Sequence, residues 1–304
     1  MGRTSKERTR GEWVNVQRGQ TCPVCGKDSW CCISADGTAV YCMRVKSEMA
    51  RGDGWIHKTG VETGERVATM PKVVKRPTID WNREAKRYAS ARHAEHYRQE
   101  LAQQLGVSVE SLDSLWVGWG YDREPWWSFP ERDAGGRVAG IVRRYKDGRK
   151  KMLRWGTHGL YYSALWATMP GPVYLPEGGS DTAALITLGV PAIGRPSCRG
   201  GVALLASMLG QRKDRMIVVV GENDLHKERR GQVEACPKNC GGCMICWPGL
   251  IGARDTARAL SARINRKVRW AMPPLGTKDA RDWLRQNPGA SAVDWVEAVK
   301  GDRA

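Results

Sequence analysis

Apolar and polar positions alternate in blocks through the C-terminal half of the chain. The runs 171–178 (GPVYLPEG), 190–196 (VPAIGRP), 215–224 (RMIVVVGEND) and 267–274 (KVRWAMPP) are short and apolar, and each predicts a strand. Between them, 180–189 (SDTAALITLG), 201–211 (GVALLASMLGQ) and 252–264 (GARDTARALSARI) carry apolar residues at helical spacing. Apolar strands such as 216–220, bracketed by amphipathic helices, predict a mostly parallel sheet covered on both faces. The fold class is α/β.

Upstream the pattern changes. From 116 to 162 the runs WWSFPERD, GRVAGIVRRY and KKMLRWG read as strands separated by Asp-Ala-Gly-Gly and Lys-Asp-Gly turns. Asp80 sits in N-cap position before a helical stretch from about 82 to 104, closed by Gly106. Its residues Arg83, Lys86, Arg87, Arg92 and Arg98 make one face strongly positive. The polar segment 61–79, with Pro71 and Pro77, reads as a linker. The predicted organisation is therefore a cysteine-rich module at 1–60, the linker at 61–79, a basic α+β subdomain at 80–165 and the α/β domain at 166–304.

Charge and cysteine placement add chemistry to that outline. Across 304 residues the formal net charge is +17, there are 14 tryptophans, and no apolar run is long enough to span a membrane. Basic residues at the N-terminus lack an apolar segment behind them, so no secretory leader is expected and the chain is read as cytoplasmic. A basic, tryptophan-rich chain of this kind implies a polyanionic partner, most simply nucleic acid. Ten cysteines in such a chain point to metal sites rather than disulfides.

Cys22, Cys25, Cys31, Cys32 and Cys42 fall within 21 residues. Cys22 and Cys25 form a CxxC knuckle closed by Gly26, a spacing that lets two thiolates meet one Zn²⁺. Cys42 ends a hairpin strand after the Asp36-Gly37 turn and can return to that metal. The remaining ligand is Cys31 or Cys32; adjacent strand residues face opposite ways, so one of the pair is expected to face the metal, and Cys31 is taken as that ligand. A second cluster, Cys236, Cys240, Cys243 and Cys246, lies in an insert at 225–251. Zinc suits it better than iron–sulfur, because nothing else in the chain suggests redox chemistry. One or two structural zinc ions are expected.

Between positions 143 and 154 lie seven basic residues and one acid, Asp147. Arg143, Arg144, Lys146, Lys150, Lys151 and Arg154, interleaved with aromatic residues on a sheet, suit single-stranded nucleic acid through charge neutralisation and stacking. Glu177, Glu222 and Asp224 stand at the carboxyl ends of predicted strands, where open α/β sheets bind ligands. Three converging carboxylates repel one another unless a cation intervenes, and hard oxygen ligands suit Mg²⁺ or Mn²⁺. Asp181 or Asp224 taken singly also reads as a helix N-cap.

These motifs carry a family resemblance. Glu177-Gly178-Gly179-Ser180-Asp181 after a strand, Glu222-Asn223-Asp224 after an apolar strand and a Gly-Ala-begun helix resemble the TOPRIM domain. With a zinc ribbon first and a basic region in the middle, the order of parts is similar to the bacterial and phage-type DNA primases. The sequence departs from the TOPRIM pattern in having Glu rather than Asp at 222, and in the insert at 225–251. Lys278-Asp279-Ala280-Arg281-Asp282-Trp283-Leu284 resembles a stretch that follows TOPRIM strands in phage-like primases. Asp279 there is either an outer metal contact or the start of a surface helix.

The resemblance implies synthesis of short RNA primers on a single-stranded DNA template from nucleoside triphosphates. Catalysis would rest on Glu177, Glu222 and Asp224 with two divalent ions, in a nucleoid-associated protein of prokaryotic or phage origin. The chain has no G-x-x-x-x-G-K-[ST] motif, so a replicative helicase would act in trans. Two other readings are a non-catalytic zinc/TOPRIM nucleic-acid binder of the recombination-mediator type and a TOPRIM nuclease.

Overall fold

The computed structural model describes residues 13–17, 20–51, 54–59, 77–224 and 247–299. The cysteines at 236, 240, 243 and 246, and linker positions 61–76, lie outside the described residues. The chain divides into two compact units, Met1–Lys75 and Arg76–Ala304. Among the described residues no helix is long and apolar enough to cross a membrane.

The first unit is an antiparallel sheet of five short strands: β1 (Trp13–Asn15), β2 (Cys32–Ser34), β3 (Ala39–Cys42), β4 (Met49–Arg51) and β5 (Gly54–Lys58), in the order β1-β2-β3-β5-β4. The turn from β2 to β3 forms because Asp36 Oδ1 accepts from the Thr38 backbone N–H at 3.1 Å while Gly37 takes φ +72°. Among the described residues of this unit, only Val16, Cys22, Cys31, Val40 and Cys42 are buried hydrophobic residues.

The second unit begins with α1 (Trp81–Ala89), capped by the Asp80 carboxylate accepting from Arg83 N–H at 3.0 Å. The single helix expected from 82 to 104 is two, because α2 (Ala94–Leu105) starts after a break in which His93 takes φ +67°. Tertiary contacts drive the break: Arg98, on α2, donates to the freed Ala89 carbonyl at 2.8 Å and to Val117 O at 3.2 Å. Gly106 closes α2 in the left-handed conformation, and α3 (Val109–Ser114) follows. An antiparallel sheet comes next, with β6 (Gly118–Tyr121), β7 (Pro125–Arg132), β8 (Val138–Tyr145) and β9 (Lys150–Met152) in sequence order.

The parallel sheet consists of β10 (Val173–Leu175), β11 (Ile217–Val220) and β12 (Arg269–Ala271). The helices are α4 (Gly178–Thr187), α5 (Val202–Leu209), α6 (Pro248–Ile264), α7 (Ala280–Gln286) and α8 (Ala292–Ala298). Alternate strand residues feed two cores. Val173, Leu175, Ile217 and Val219 pack with Leu205, Leu209, Ala257 and Leu260 of α5 and α6. Tyr174, Val218 and Val220 pack with Leu185, Trp283 and Trp295 of α4, α7 and α8, and the same core holds Leu101, Trp127 and Phe129. One core is thus shared by residues on both sides of position 165.

The run 190–196, expected as a strand, lies beside β10 but pairs only through isolated bridges, Tyr174 with Ala192 and Glu177 with Arg195. Pro191 and Pro196 lack the N–H groups that a continuous ladder needs. Gly194 also bridges Tyr161, and Leu160 bridges Arg132 of β7. Hydrogen bonding therefore runs from the antiparallel sheet through 160–161 and 192–195 into β10.

Candidate functional site

In the first unit the sulfurs of Cys22, Cys25, Cys31 and Cys42 all lie within 4.8 Å of one another. Cys31 Sγ is 3.7 Å from Cys25 Sγ and 3.9 Å from Cys42 Sγ. Tetrahedral zinc with bonds of about 2.3 Å sets its sulfurs about 3.8 Å apart, so this donor set fits zinc. Cys32 turns away and donates to Asn15 Oδ1 at 3.0 Å. Burial pushes the Cys31 thiol up to about 12 and raises Cys22 above the usual thiol range. At Cys25 slight burial is outweighed by the Lys27 N–H, the neighbouring thiols and Arg44, which lower it to about 6. Four crowded thiols without a cation cannot all ionise, and a divalent soft metal removes that conflict.

The second unit carries an acidic cluster at the carboxyl ends of its parallel strands. Asp181, Glu222 and Asp279 each place a carboxylate oxygen within 4.8 Å of the other two. Each follows a different strand. Asp181 is in the first turn of α4 after β10, Glu222 follows β11, and Asp279 caps α7 after β12. Gly178 makes the turn into α4 possible with φ +77°, and a side chain at Gly179 would run into the Phe129 ring at 2.6 Å.

Glu177 lines the same cavity, of about 420 Å³, together with Arg144, Lys150, Lys151, Lys278 and Arg281. Asp224 is placed differently: its Oδ1 accepts from Gly249 N–H at 2.8 Å at the start of α6. Asn223 between the two acids is a clamp, donating through Nδ2 to Thr277 O at 2.7 Å and Pro273 O at 3.0 Å.

Sequence reasoning passed over Asp181 as a ligand, although it lies one helical turn after Glu177 and that i, i+4 spacing was a usable signal. Asp279 combines the two roles considered for it: its carboxylate accepts from Asp282 N–H at 2.8 Å and also joins the acidic cluster. Arg195 was missed too. It is 1% exposed and donates to Leu175 O at 3.1 Å, to Val220 O at 2.8 Å and to Cys198 O, tying together the ends of β10 and β11. Its only sequence signal is a charge inside an apolar run.

Cationic side chains flank the cluster. Lys278 Nζ stands 3.8 Å from Glu222 and 3.6 Å from Asp279, and Arg281 Nη2 stands 3.7 Å from Asp279. Burial, then Asp279 and Glu222, push Asp181 well above the usual carboxylate range. Burial, then Glu177, raise Glu222 to about 7. Carboxylates so close and so dry fit a divalent cation held by oxygen ligands.

Across the cavity, Arg144 and Lys150 sit opposite each other on β8 and β9. Burial and the Arg144 charge lower Lys150, opposed by Asp181, Glu222 and Glu177. Other basic residues are engaged elsewhere: Arg143 with Asp122, Lys146 with Glu100 at 2.7 Å, and Arg154 over the Trp155 ring at 4.4 Å. Among the aromatic residues near these strands, Tyr161 is buried against Glu131. Several tryptophans serve the core: Trp126, Trp127, Trp166, Trp283 and Trp295 are all buried.

No family model matches the chain, and no curated protein matches it. Among solved structures it is similar to a DnaG catalytic core, at 18% identity and TM-score 0.47, covering 68% of this chain and 74% of that one. An *E. coli* primase catalytic core gives 17% identity and TM-score 0.45, covering 71% and 78%. The primase fragment of the bacteriophage T7 primase-helicase protein gives 15% identity and TM-score 0.39, covering 91% and 96%.

Proposed function

We propose that the chain is a DNA primase that makes short RNA primers on single-stranded DNA, with its α/β half a TOPRIM-like domain. The observation that carries this reading is one cavity in which Asp181, Glu222 and Asp279 face Arg144 and Lys150. A nucleotidyl-transfer site needs both parts, oxygen ligands for divalent cations and fixed cations for a triphosphate. The residue motifs resembling bacterial and phage-type primases support it independently.

Asp181, Glu222, Asp279 and Glu177 would hold Mg²⁺ or Mn²⁺. A bound pair of such ions supplies the charge that activates an attacking 3′-hydroxyl and steadies the departing pyrophosphate. Arg144, Lys150 and Arg281 would position the triphosphate, and their partial burial strengthens each contact relative to water. Arg195 keeps a positive charge beneath Glu177 and Glu222, so the acids stay near one another when the ions leave. Zinc held by Cys22, Cys25, Cys31 and Cys42 would support a ribbon that contacts the template. Asp224 would act by holding the start of α6 beside Glu222. Single-stranded DNA, nucleoside triphosphates and a helicase acting in trans are the proposed partners.

Primer synthesis on single-stranded DNA with labelled nucleotides and Mg²⁺ or Mn²⁺ tests the reading. Wild type should make primers, and Glu177→Gln should lower the rate on the order of 10²-fold or more while DNA binding survives. Wild type that binds single-stranded DNA yet makes no primer, with Glu177→Gln indistinguishable from it, refutes the enzymatic reading in favour of a binder. Strand cleavage in place of synthesis favours the nuclease.

A further inference from the structure

A second polar group shares the cavity with the acids. Glu131, at the end of β7, has no exposed surface and accepts from Gly159 N–H at 2.6 Å, from Tyr161 O–H at 2.6 Å and from His158 Nδ1 at 3.0 Å. The bridge between Arg132 and Leu160 brings this segment alongside β7. Burial and Glu131 keep the Tyr161 phenol well above its usual range, so it stays protonated and donates to Glu131.

The orientation of these groups fixes the histidine tautomer. A carboxylate can only accept, so Nδ1 carries the proton and the neutral ring keeps Nε2 as an acceptor. The His158 side chain is 65% exposed and lines the cavity with Glu177, Asp181 and Lys150. Among the described residues Nε2 has no hydrogen-bond partner.

Phosphate oxygens are acceptors and gain nothing from such a nitrogen; Arg144, Lys150, Lys151 and Arg281 serve them. What Nε2 takes is a neutral O–H or N–H. A cavity of about 420 Å³ is in the size range of small-ligand sites, and a nucleotide offers two such donors, the ribose hydroxyls and the amino groups of some bases. Templated synthesis must accept all four bases, which leaves the ribose.

We propose that His158, held in one tautomer by Glu131, accepts a hydrogen bond from the 2′-hydroxyl of the incoming nucleotide and so selects ribonucleotides over deoxyribonucleotides. The inference rests on the primase reading. It goes beyond that reading by assigning sugar selection to residues outside the acid and base clusters.

The test is equilibrium binding of the four nucleoside triphosphates and their 2′-deoxy forms to the full chain with Mg²⁺. Wild type should prefer ribonucleotides for every base. His158→Ala should lower ribonucleotide affinity at least about tenfold and leave deoxynucleotide affinity unchanged, since a site built around a hydroxyl rejects the analogue lacking it. Glu131→Gln can donate to Nδ1 and move the ring proton to Nε2, so it should lose the same selectivity with the imidazole present. If Glu131→Gln does not fold, His158→Gln is the second variant: its amide oxygen can take the place of Nε2, and selectivity should partly return.

Equal loss for both sugars, no loss, a loss that varies with the base, or a wild type without sugar preference each overturns the proposal. Because the readout is binding, a wild type that prefers ribonucleotides but makes no primer refutes the primase reading and leaves the subsite standing. A wild type that makes primers with a selectivity indifferent to His158 refutes the subsite alone.

Discussion

The ribbon and the parallel-sheet unit each gather ligating groups, with opposite energetic consequences. In the ribbon the candidate ligands are the core: among the described residues, three of the five buried hydrophobic ones are the cysteines Cys22, Cys31 and Cys42. In the larger unit two extensive cores already cover both faces of the sheet, and the carboxylates are an electrostatic load placed at its edge. A metal would complete the first fold and relieve the second. Gathered ligating groups would thus be a source of stability in one region and a tolerated cost in the other.

The largest effect should come from breaking the ribbon's half of that contrast. Chelation, or Cys31→Ser, should abolish the protected structure of residues 13–59, since structural zinc contributes on the order of 10 kcal/mol to such modules. Hydrogen exchange on the full chain, with zinc content measured alongside, checks this. Protection that persists in 13–59 after the metal is gone would mean that the five-residue core suffices.

The acidic cluster should respond with the other sign. Glu222→Gln should lower primer synthesis on the order of 10²-fold, yet raise the thermal stability of the metal-free protein. A variant that loses both activity and stability would show that Glu222 is a structural ligand like the cysteines.

The pH dependence sharpens the same point. Glu222 is raised from an ordinary value of 4.5 to about 7 by burial and Glu177. A group raised in the folded state contributes stability that is complete below the ordinary value and is withdrawn as pH rises through the folded one. Through Glu222 alone, metal-free protein should therefore lose on the order of 3 kcal/mol between pH 4.5 and 7, with Mg²⁺ restoring part of it and Glu222→Gln flattening the slope to what Asp181, also raised, contributes. Denaturant titrations across that range decide the matter, and a flat profile in wild type would break it.

The smallest effect concerns the basic residues of β8 and β9. Arg143→Ala and Lys150→Ala should weaken single-strand binding alike across sequences, each lowering the salt slope by about one. Since Arg143 is already engaged by Asp122, a smaller change there than at Lys150 would separate paired from free cations.

Legibility differed for the same physical reason. The thiol cluster is local, with four candidate ligands in 21 residues, and spacing plus strand alternation limited the third ligand to one of Cys31 and Cys32 without deciding between them. Strand ends bearing Glu177 and Glu222 were equally readable, because apolar runs stop abruptly at acids. Asp181, Asp279 and Arg195 were harder, since their roles arise only once three strands lie side by side. The split of α1 from α2 was invisible as well: the reason for it is Arg98 reaching carbonyls from two segments, a contact with no trace in helical periodicity.

The hydrogen-bonded path from β7 through 160–161 and 192–195 to β10 has a mechanical consequence. The basic residues of β8 and β9 and the acids beyond β10 belong to one continuous network, with no hinge of unbonded backbone between them along that route. Opening the cavity would require breaking backbone pairs such as Gly194 N–H to Tyr161 O at 2.7 Å and Gly178 N–H to Arg195 O at 2.7 Å. Substrates must therefore be admitted by side-chain rearrangement at the rim rather than by a clamshell motion, and the amides of 161, 178, 194 and 195 should exchange as slowly as those of the central strand.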